Sequence, residues 1–309
     1  MKGVALIGPA DLAGRLDWPA VVAAIEAGHR LPPPALGDTF LHRGAEVLLS
    51  RSAWVDGLGA GVKSVTVFPD NRARDLPSVQ GAMILFDDAT GTVRAVIDSA
   101  LITRWKTAAD SVLGARILAR PDARVLTILG AGAVADSLIE AYRAILPGIA
   151  RILVWNRSPG RAEALAAAHR GAHPVEATRD LPAAVAAADI VATATMAHQP
   201  VLHGEWVRPG THVDLIGAFT ATMREADDAL LTRGRIFVDC RETTLDHIGE
   251  LKDPLARGVI RREDVQGDLY DLVAGRAGRR GAEEITIFKN GGGAHLDLMT
   301  AGAILKALG

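Results

Sequence analysis

Residues 125–137, VLTILGAGAVADS, constrain this chain more than any other stretch. An apolar β-forming run leads into Gly130-x-Gly132-x-x-Ala135, and a helix-forming segment follows at once. Gly130 permits the tight turn, Gly132 lets a pyrophosphate approach the backbone, and Ala135 allows a helix to pack closely on a strand. The helix start then offers free N–H groups and a partial positive charge to phosphate. The pattern predicts a dinucleotide-binding turn with Gly130, Gly132 and Ala135 in the cofactor site.

The residues beyond the turn support that placement. RILVWN, SPGRAEALAAAHR, LPAAVAAA, DIVATAT, THVDLIGA and GRIFVD alternate between strand and helix character. Such alternation predicts a Rossmann-type doubly wound parallel sheet. The second strand ends in Asn156, Arg157 and Ser158, where an NAD-preferring site usually carries Asp or Glu for the ribose 2′-hydroxyl. Arg157 suits a 2′-phosphate, so NADP(H) is expected over NAD(H). Thr195, at the end of ATAT, reads either as a cofactor contact on the ribose or nicotinamide side or as an ordinary strand end.

The region before the turn is of a different kind. WPAVVAAIEAGHR has helical spacing, and LPPPALGD breaks it. EVLLS, GVKSVTVF, VQGAMILF and VRAVID are short β-rich runs separated by turn residues, with DDATG a hairpin turn and Asp70-Asn71 a further turn. One long helix, SALITRWKTAADSVLGARILAR, ends before Pro121. An α+β domain with a largely antiparallel sheet is expected over residues 1–115, rejoined by a final helix within 290–309. Residues 116–289 form the nucleotide-binding domain.

The 309 residues carry a net charge of −2, which gives no electrostatic case for nucleic acid or an anionic membrane. The longest apolar run, residues 183–197, is broken by Asp189 and too short to span a bilayer, and the N-terminal apolar patch is too short for a secretory signal. Cys240 is the only cysteine, which fits a reducing, cytoplasmic setting, and it reads as a buried, inert thiol. His169 and His173 are four apart, but Gly171 disfavours a helix there, and no metal site is expected.

GVKSVTVFPDN, LPSVQGAMILFDDATG, ITRWKTAADS, the glycine turn, LIGAFTATMREADDALL and EEITIFKNGGGAHLDL occur in the order in which similar segments occur in the ornithine cyclodeaminase/mu-crystallin family, and LLSRSAW is more loosely similar. The resemblance runs from about Leu48 to the end. It implies a homodimer whose first domain binds substrate and dimerises, with an NAD(P)-binding second domain. It also implies small α-amino or α-imino acid substrates. The family's substrate lysine falls on Lys63, which would pair the substrate carboxylate and help protonate an imine nitrogen. From its spacing alone, Lys63 reads as a rim residue reaching water.

Several positions depart from the family pattern. Lys106 stands where the family has an arginine, and Pro34 where another is expected. Arg51 or Arg43 is the candidate replacement cation, and Ser78 falls where the family has a threonine near substrate. The cyclodeaminase proton-transfer aspartate is replaced by Phe219, which cannot move a proton and instead packs on substrate methylenes or belongs to the core. Asp297 matches a family position in the last helix, either capping structure or approaching the nicotinamide. The resemblance is nearest to the Δ1-pyrroline-2-carboxylate (ketimine) reductase branch. NADPH-dependent reduction of a small cyclic imino acid is therefore expected. Ornithine cyclodeaminase, alanine dehydrogenase-like activity and non-catalytic NADPH-dependent ligand binding are the alternatives.

Overall fold

The computed structural model describes residues 4–171 and 174–309. It divides into two compact units, Met1–Lys106 with Gly293–Gly309, and Thr107–Gly292. The division thus falls inside the long helix, earlier than the expected 115/116 boundary. The elements in chain order begin β1 (Ala5–Ile7), α1 (Trp18–Gly28), β2 (Ala35–Arg43), β3 (Glu46–Val55), β4 (Gly59–Val67), β5 (Val79–Phe86), β6 (Val93–Asp98) and α2 (Ser99–Leu118). Then come β7 (Val125–Leu129), α3 (Ala133–Ile145), β8 (Arg151–Trp155), α4 (Pro159–Ala168), β9 (Val175–Thr178), α5 (Leu181–Ala187), β10 (Ile190–Thr193) and β11 (His212–Leu215). The chain closes with α6 (Asp228–Arg233), β12 (Arg235–Val238), α7 (Arg241–Thr244), α8 (Gly249–Ala256), β13 (Val265–Gly267), α9 (Leu269–Val273), β14 (Thr286–Lys289) and α10 (Ala294–Leu308).

The first unit is built on a six-stranded sheet of order β1-β6-β5-β4-β3-β2. β1 and β6 run parallel and every other neighbouring pair is antiparallel. Side chains alternate between faces. Ala53, Val55, Met83, Leu85, Ala95 and Ile97 therefore share one face, and with Leu298, Ala301 and Ile304 of α10 they form the core. Gly61 allows this packing, since a Cβ there would lie 2.5 Å from Met83 Cε and 3.2 Å from Leu298 Cδ1. α1 starts where Asp17 accepts a hydrogen bond from the Ala20 amide (2.8 Å), and it buries Trp18, Val21, Val22 and Ile25 at helical spacing.

The second unit is an eight-stranded parallel sheet of order β13-β12-β14-β11-β10-β7-β8-β9. The chain runs outward from β7 through β8 and β9, then returns to β10 and runs the other way. β7 and β10 thus flank the topological switch point, where a parallel sheet of this kind leaves a ligand crevice. Cys240 is buried, and burial pushes its thiol pKa up, in keeping with an inert role. No helix among the described residues is long and apolar enough to cross a membrane.

Both expected sheets are present. β2 follows the prolines directly; its first residues, 35–38, were expected only to break the helix pattern, while strand character was expected from Thr39 on. It is an edge strand, exposed along nearly its whole length, and its order comes from continuous pairing with β3. β9 was likewise unanticipated, because VEAT is an edge strand with little apolar alternation.

Candidate functional site

In the second unit the glycine turn sits at the head of β7. Gly130 has φ +114°, and a Cβ there would lie 2.4 Å from the Ala194 carbonyl oxygen. Only glycine fits this close approach of the turn to the end of β10. The Gly130 amide donates to Trp155 O (2.8 Å), and the Ala194 amide donates to Leu129 O (2.7 Å). Gly132 is the N-cap of α3 without a side-chain cap, and a Cβ there would meet nothing within 4 Å. The backbone face above the helix start is open, as a pyrophosphate requires, and Ala135 is fully buried beneath it. These residues fit a dinucleotide.

At the tip of β8, half-buried Asn156 closes the turn by donating from Nδ2 to Ser158 O (3.0 Å). Arg157 is exposed beside it, without an ion pair among the described residues, and Ser158 caps α4 through its backbone only. No carboxylate stands at this tip.

Thr195 has a partner that the sequence did not suggest. Its amide and Oγ1 each donate to Glu225 Oε1 at 2.7 Å. Buried Glu225 also accepts from Thr193 Oγ1 (2.8 Å) and the amides of Gly217 (2.5 Å) and Ala218 (3.2 Å), tying the ends of β10 and β11 together. A Cβ on Gly217 would lie 2.1 Å from Thr195 O, so only glycine fits. The amides of Glu225 and Ala226 donate in turn to Glu250, whose carboxyl is pushed up to about 7 by burial and then by the Glu225 charge. Lys289, fully buried, donates to Leu215 O, Ala218 O and Asn290 O at 2.8–2.9 Å. Nothing local in the sequence announces this hub. Phe219 lies on the loop after β11 and is 58% exposed, so its ring is a surface feature of this unit rather than core.

The first unit brings together a cluster of charges. Lys63 and Lys106 are both only 8% exposed. Lys63 lies on the helix-covered face of β4, which removes the rim reading. Its Nζ is 2.7 Å from Oδ2 of fully buried Asp297 on α10. Burial lowers the Lys63 pKa, Asp297 opposes that shift, and Lys106 and Arg51 add to it. Burial alone would raise the Asp297 carboxyl, but Lys63 and Lys106 outweigh it and hold the group ionised below its ordinary value. Lys63 and Asp297 thus form a buried ion pair on which the charge of buried Lys106 also acts.

Arg51 stands directly opposite Lys63 in the β3–β4 register and pairs with Asp38 (2.9 Å). Arg43 lies at the far end of β2, exposed and paired with Glu46. Of the two candidate replacement cations, only Arg51 joins the cluster. His295, on α10, is held neutral: its pKa is pushed down to about 3 by burial, then by His29 and Lys106. The His29 and His295 rings meet edge-on at 5.7 Å, and His29 Nδ1 donates to Ile25 O (2.7 Å).

Ser78 does not stand beside Lys63. It precedes β5 opposite Phe68, about five residues along the strand or roughly 16 Å at the usual rise. Its buried Oγ has no hydrogen-bond partner among the described residues. His169 pairs with Asp136 (2.7 Å), and His173 lies outside the described residues. Among the described residues no group of three or more His, Cys, Asp or Glu side chains is placed to hold a metal. An open cavity of about 550 Å³ near Arg224 and Arg257 is lined by arginines already paired with Asp228 and Asp253, so it lacks an unmatched charge.

The chain is 58% identical over 300 residues to a Δ1-pyrroline-2-carboxylate reductase of Paracoccus denitrificans (strain Pd 1222), covering 96% of this chain and 95% of that protein. The structure of Thermococcus litoralis Δ1-pyrroline-2-carboxylate reductase in complex with NADH and L-proline superposes with a TM-score of 0.90 at 27% identity, over 98% of this chain and 97% of that one. An archaeal alanine dehydrogenase dimer with bound NAD superposes with a TM-score of 0.89 at 28% identity, over 98% and 95% of the two chains. The model of the ornithine cyclodeaminase/mu-crystallin family matches residues 50–308. With that coverage and these relatives, the chain belongs to the ornithine cyclodeaminase/mu-crystallin family.

Proposed function

We propose that this chain, a nicotinamide-dependent oxidoreductase acting on C=N bonds, reduces Δ1-pyrroline-2-carboxylate or Δ1-piperideine-2-carboxylate to L-proline or L-pipecolate, with NADPH preferred over NADH. The observation that carries this reading is the buried Lys63–Asp297 pair, with the ammonium of buried Lys106 and the Arg51 guanidinium acting on it. Ammonium and guanidinium groups gathered in a buried site attract an anion, and a substrate carboxylate is such an anion. The named activity of the Paracoccus relative and the proline bound by the Thermococcus structure support the same substrate class.

In this mechanism Lys63 and Lys106, with Arg51 behind them, pin the carboxylate and so fix the orientation of the imine. Bound NAD(P)H supplies the hydride that C2 of the imine accepts. The nitrogen must be protonated for C2 to be electrophilic. The lowered pKa of Lys63 makes its ammonium a better acid, and it is the proposed donor, directly or through a water. Gly130, Gly132 and Ala135 hold the pyrophosphate, while Asn156, Arg157 and Ser158 take the 2′-phosphate. Thr195, braced by Glu225, borders the nicotinamide side. Phe219 is proposed as a substrate contact, whereas Ser78, roughly 16 Å along the strand from Lys63, is too far to touch a substrate held there. Phe219 has no proton to transfer, which disfavours cyclodeamination.

The first unit is proposed as the substrate-binding and dimerising part. The sheet face turned away from α10 exposes Leu6 (78%), Trp54 (56%) and Leu48 (40%), the kind of apolar surface a second copy would cover. The archaeal relative is described as a dimer.

The function is tested by monitoring NADPH and NADH oxidation with the five- and six-membered cyclic imino acids, beside ornithine with NAD⁺ monitored for ammonia. Turnover of a cyclic imine with NADPH, and of ornithine not at all, is the expected result. In Arg157→Ala, KM for NADPH should rise about 10-fold, as for a lost charge-assisted contact, with KM for NADH unchanged. Equal KM values for both cofactors in the parent enzyme would remove the NADPH preference.

A further inference from the structure

Lys63 has its ion-pair partner on the last helix of the chain, and the reaction outlined above gives that partner no role. Asp297 is 1% exposed, and its Oδ2 lies 2.7 Å from Lys63 Nζ. The charged and titratable groups around this pair are Arg51 with Asp38 from β3 and β2, Lys106 and, one turn further on, fully buried Asp110 from α2, His295 from α10 itself and His29 from α1. Of these, Lys106 and Arg51 repel the Lys63 charge, Asp38 is occupied by Arg51, and the imidazoles are not anions. Asp297 is therefore the buried carboxylate that supports an ammonium at Lys63.

We propose that Asp297 is a positioning residue whose carboxylate keeps the Lys63 ammonium charged and aimed in the buried site over the pH range in which the enzyme binds its anionic substrate. A substrate carboxylate can pair with Lys63 only while that group is protonated, because a neutral amine offers no charge-assisted hydrogen bond. In an apolar surrounding, with two further cations nearby, the proton would leave Lys63 at a lower pH without its counter-ion. Asp297 also cancels one of the two buried lysine charges. This inference rests on the proposed imino-acid site.

The test uses pyrrole-2-carboxylate, a planar analogue whose carboxylate stays ionised above neutral pH. Its binding to the NADPH-loaded enzyme is followed by nicotinamide fluorescence from mildly acidic to strongly alkaline pH. In the parent enzyme the affinity should fall at high pH as Lys63 loses its proton. In Asp297→Asn that fall should begin at least about one pH unit lower, since one unit corresponds to a modest change in interaction between the two protonation states. At the pH where the two curves differ most, Kd should be raised about 10–100-fold, as for a lost charge-assisted bond, with affinity retained at the acidic end. Asp297→Glu should restore most of the parent curve. A Kd raised equally at every pH would mean a merely structural role and would overturn the proposal, as would an unmoved curve.

If Asp297→Asn does not fold, as judged by its melting curve, Lys63→Arg carries the test. A guanidinium keeps its charge throughout this range, so the fall must move to higher pH. A fall that stays in place overturns the assignment. Absence of turnover with both cyclic imines would overturn the proposed reaction and leave the titration readable, whereas turnover with an unmoved titration would overturn only the role of Asp297.

Discussion

Lys106 stands where the family resemblance leads one to expect an arginine, and its burial has an energetic consequence. Lys63 and Lys106 place two like charges close together in low dielectric, which is costly even beside buried carboxylates. Such a site trades stability for ligand binding. Lys106→Met should therefore do two opposite things. Removing one of two neighbouring buried like charges should stabilise the protein by about 1 kcal/mol, roughly 2–4 °C in melting temperature. It should also lower kcat/KM about 100-fold, mostly through KM, because one carboxylate contact is lost. Melting curves and steady-state kinetics on the same preparation check both, and a variant that is less stable and fully active would contradict the reading. At this scale the sequence was only partly legible. Lys63 could be placed by its motif, but Asp297 could be read only as a cap or a nicotinamide neighbour. Its pairing with Lys63 joins β4 to α10, segments far apart in the chain. Glu225 was invisible as a hub, because its five donors come from the ends of two strands that only the sheet brings together.

Among the elements, the β7–turn–α3 unit was the most legible, since strand, glycines and helix are contiguous and each residue has a local reason to be there. Its two glycines differ in role, and substitution separates them. Gly130 is required by the fold, with positive φ and a neighbouring carbonyl in the space of a Cβ. Gly132 has extended backbone, φ −103° and ψ −171°, and open space before it, so a side chain there is unstrained. Gly132→Val should leave the melting temperature of the cofactor-free protein unchanged. It should also raise the NADPH Kd by at least about 10-fold, because the branched side chain occupies the path of the pyrophosphate. Fluorescence titration beside a thermal melt measures both, and unaltered affinity would remove the pyrophosphate from this turn. α2 was legible from its long uninterrupted pattern up to Pro121. β2 and β9 were not, because edge strands bury little and carry no clear period-2 signal.

For the whole molecule, the two sheets differ in how completely they are covered. Both faces of a parallel sheet are normally buried under crossover helices, whereas an antiparallel sheet can leave one face open. The first unit leaves Leu6, Leu48 and Trp54 on such a face. Covering that face with a second copy is the proposed assembly. Trp54→Glu, combined with Leu48→Glu, should shift the protein to monomer in sedimentation velocity while the far-ultraviolet circular dichroism stays unchanged. A dimer that persists through both changes would place the interface elsewhere.

The sequence by itself determined the class of each unit, the strand–turn–helix of the nucleotide site and the absence of a carboxylate at the β8 tip. Each depends on residues close together in the chain, where backbone preference and side-chain period act directly. The tertiary structure alone decided that Lys63 faces the covered side of its strand, that Asp297 is its counter-ion, that Arg51 rather than Arg43 joins the cluster, and that Glu225 binds two strand ends together. The physical reason is that charge pairing and burial depend on distance in space, and local preference carries no information about which remote segment will supply the partner.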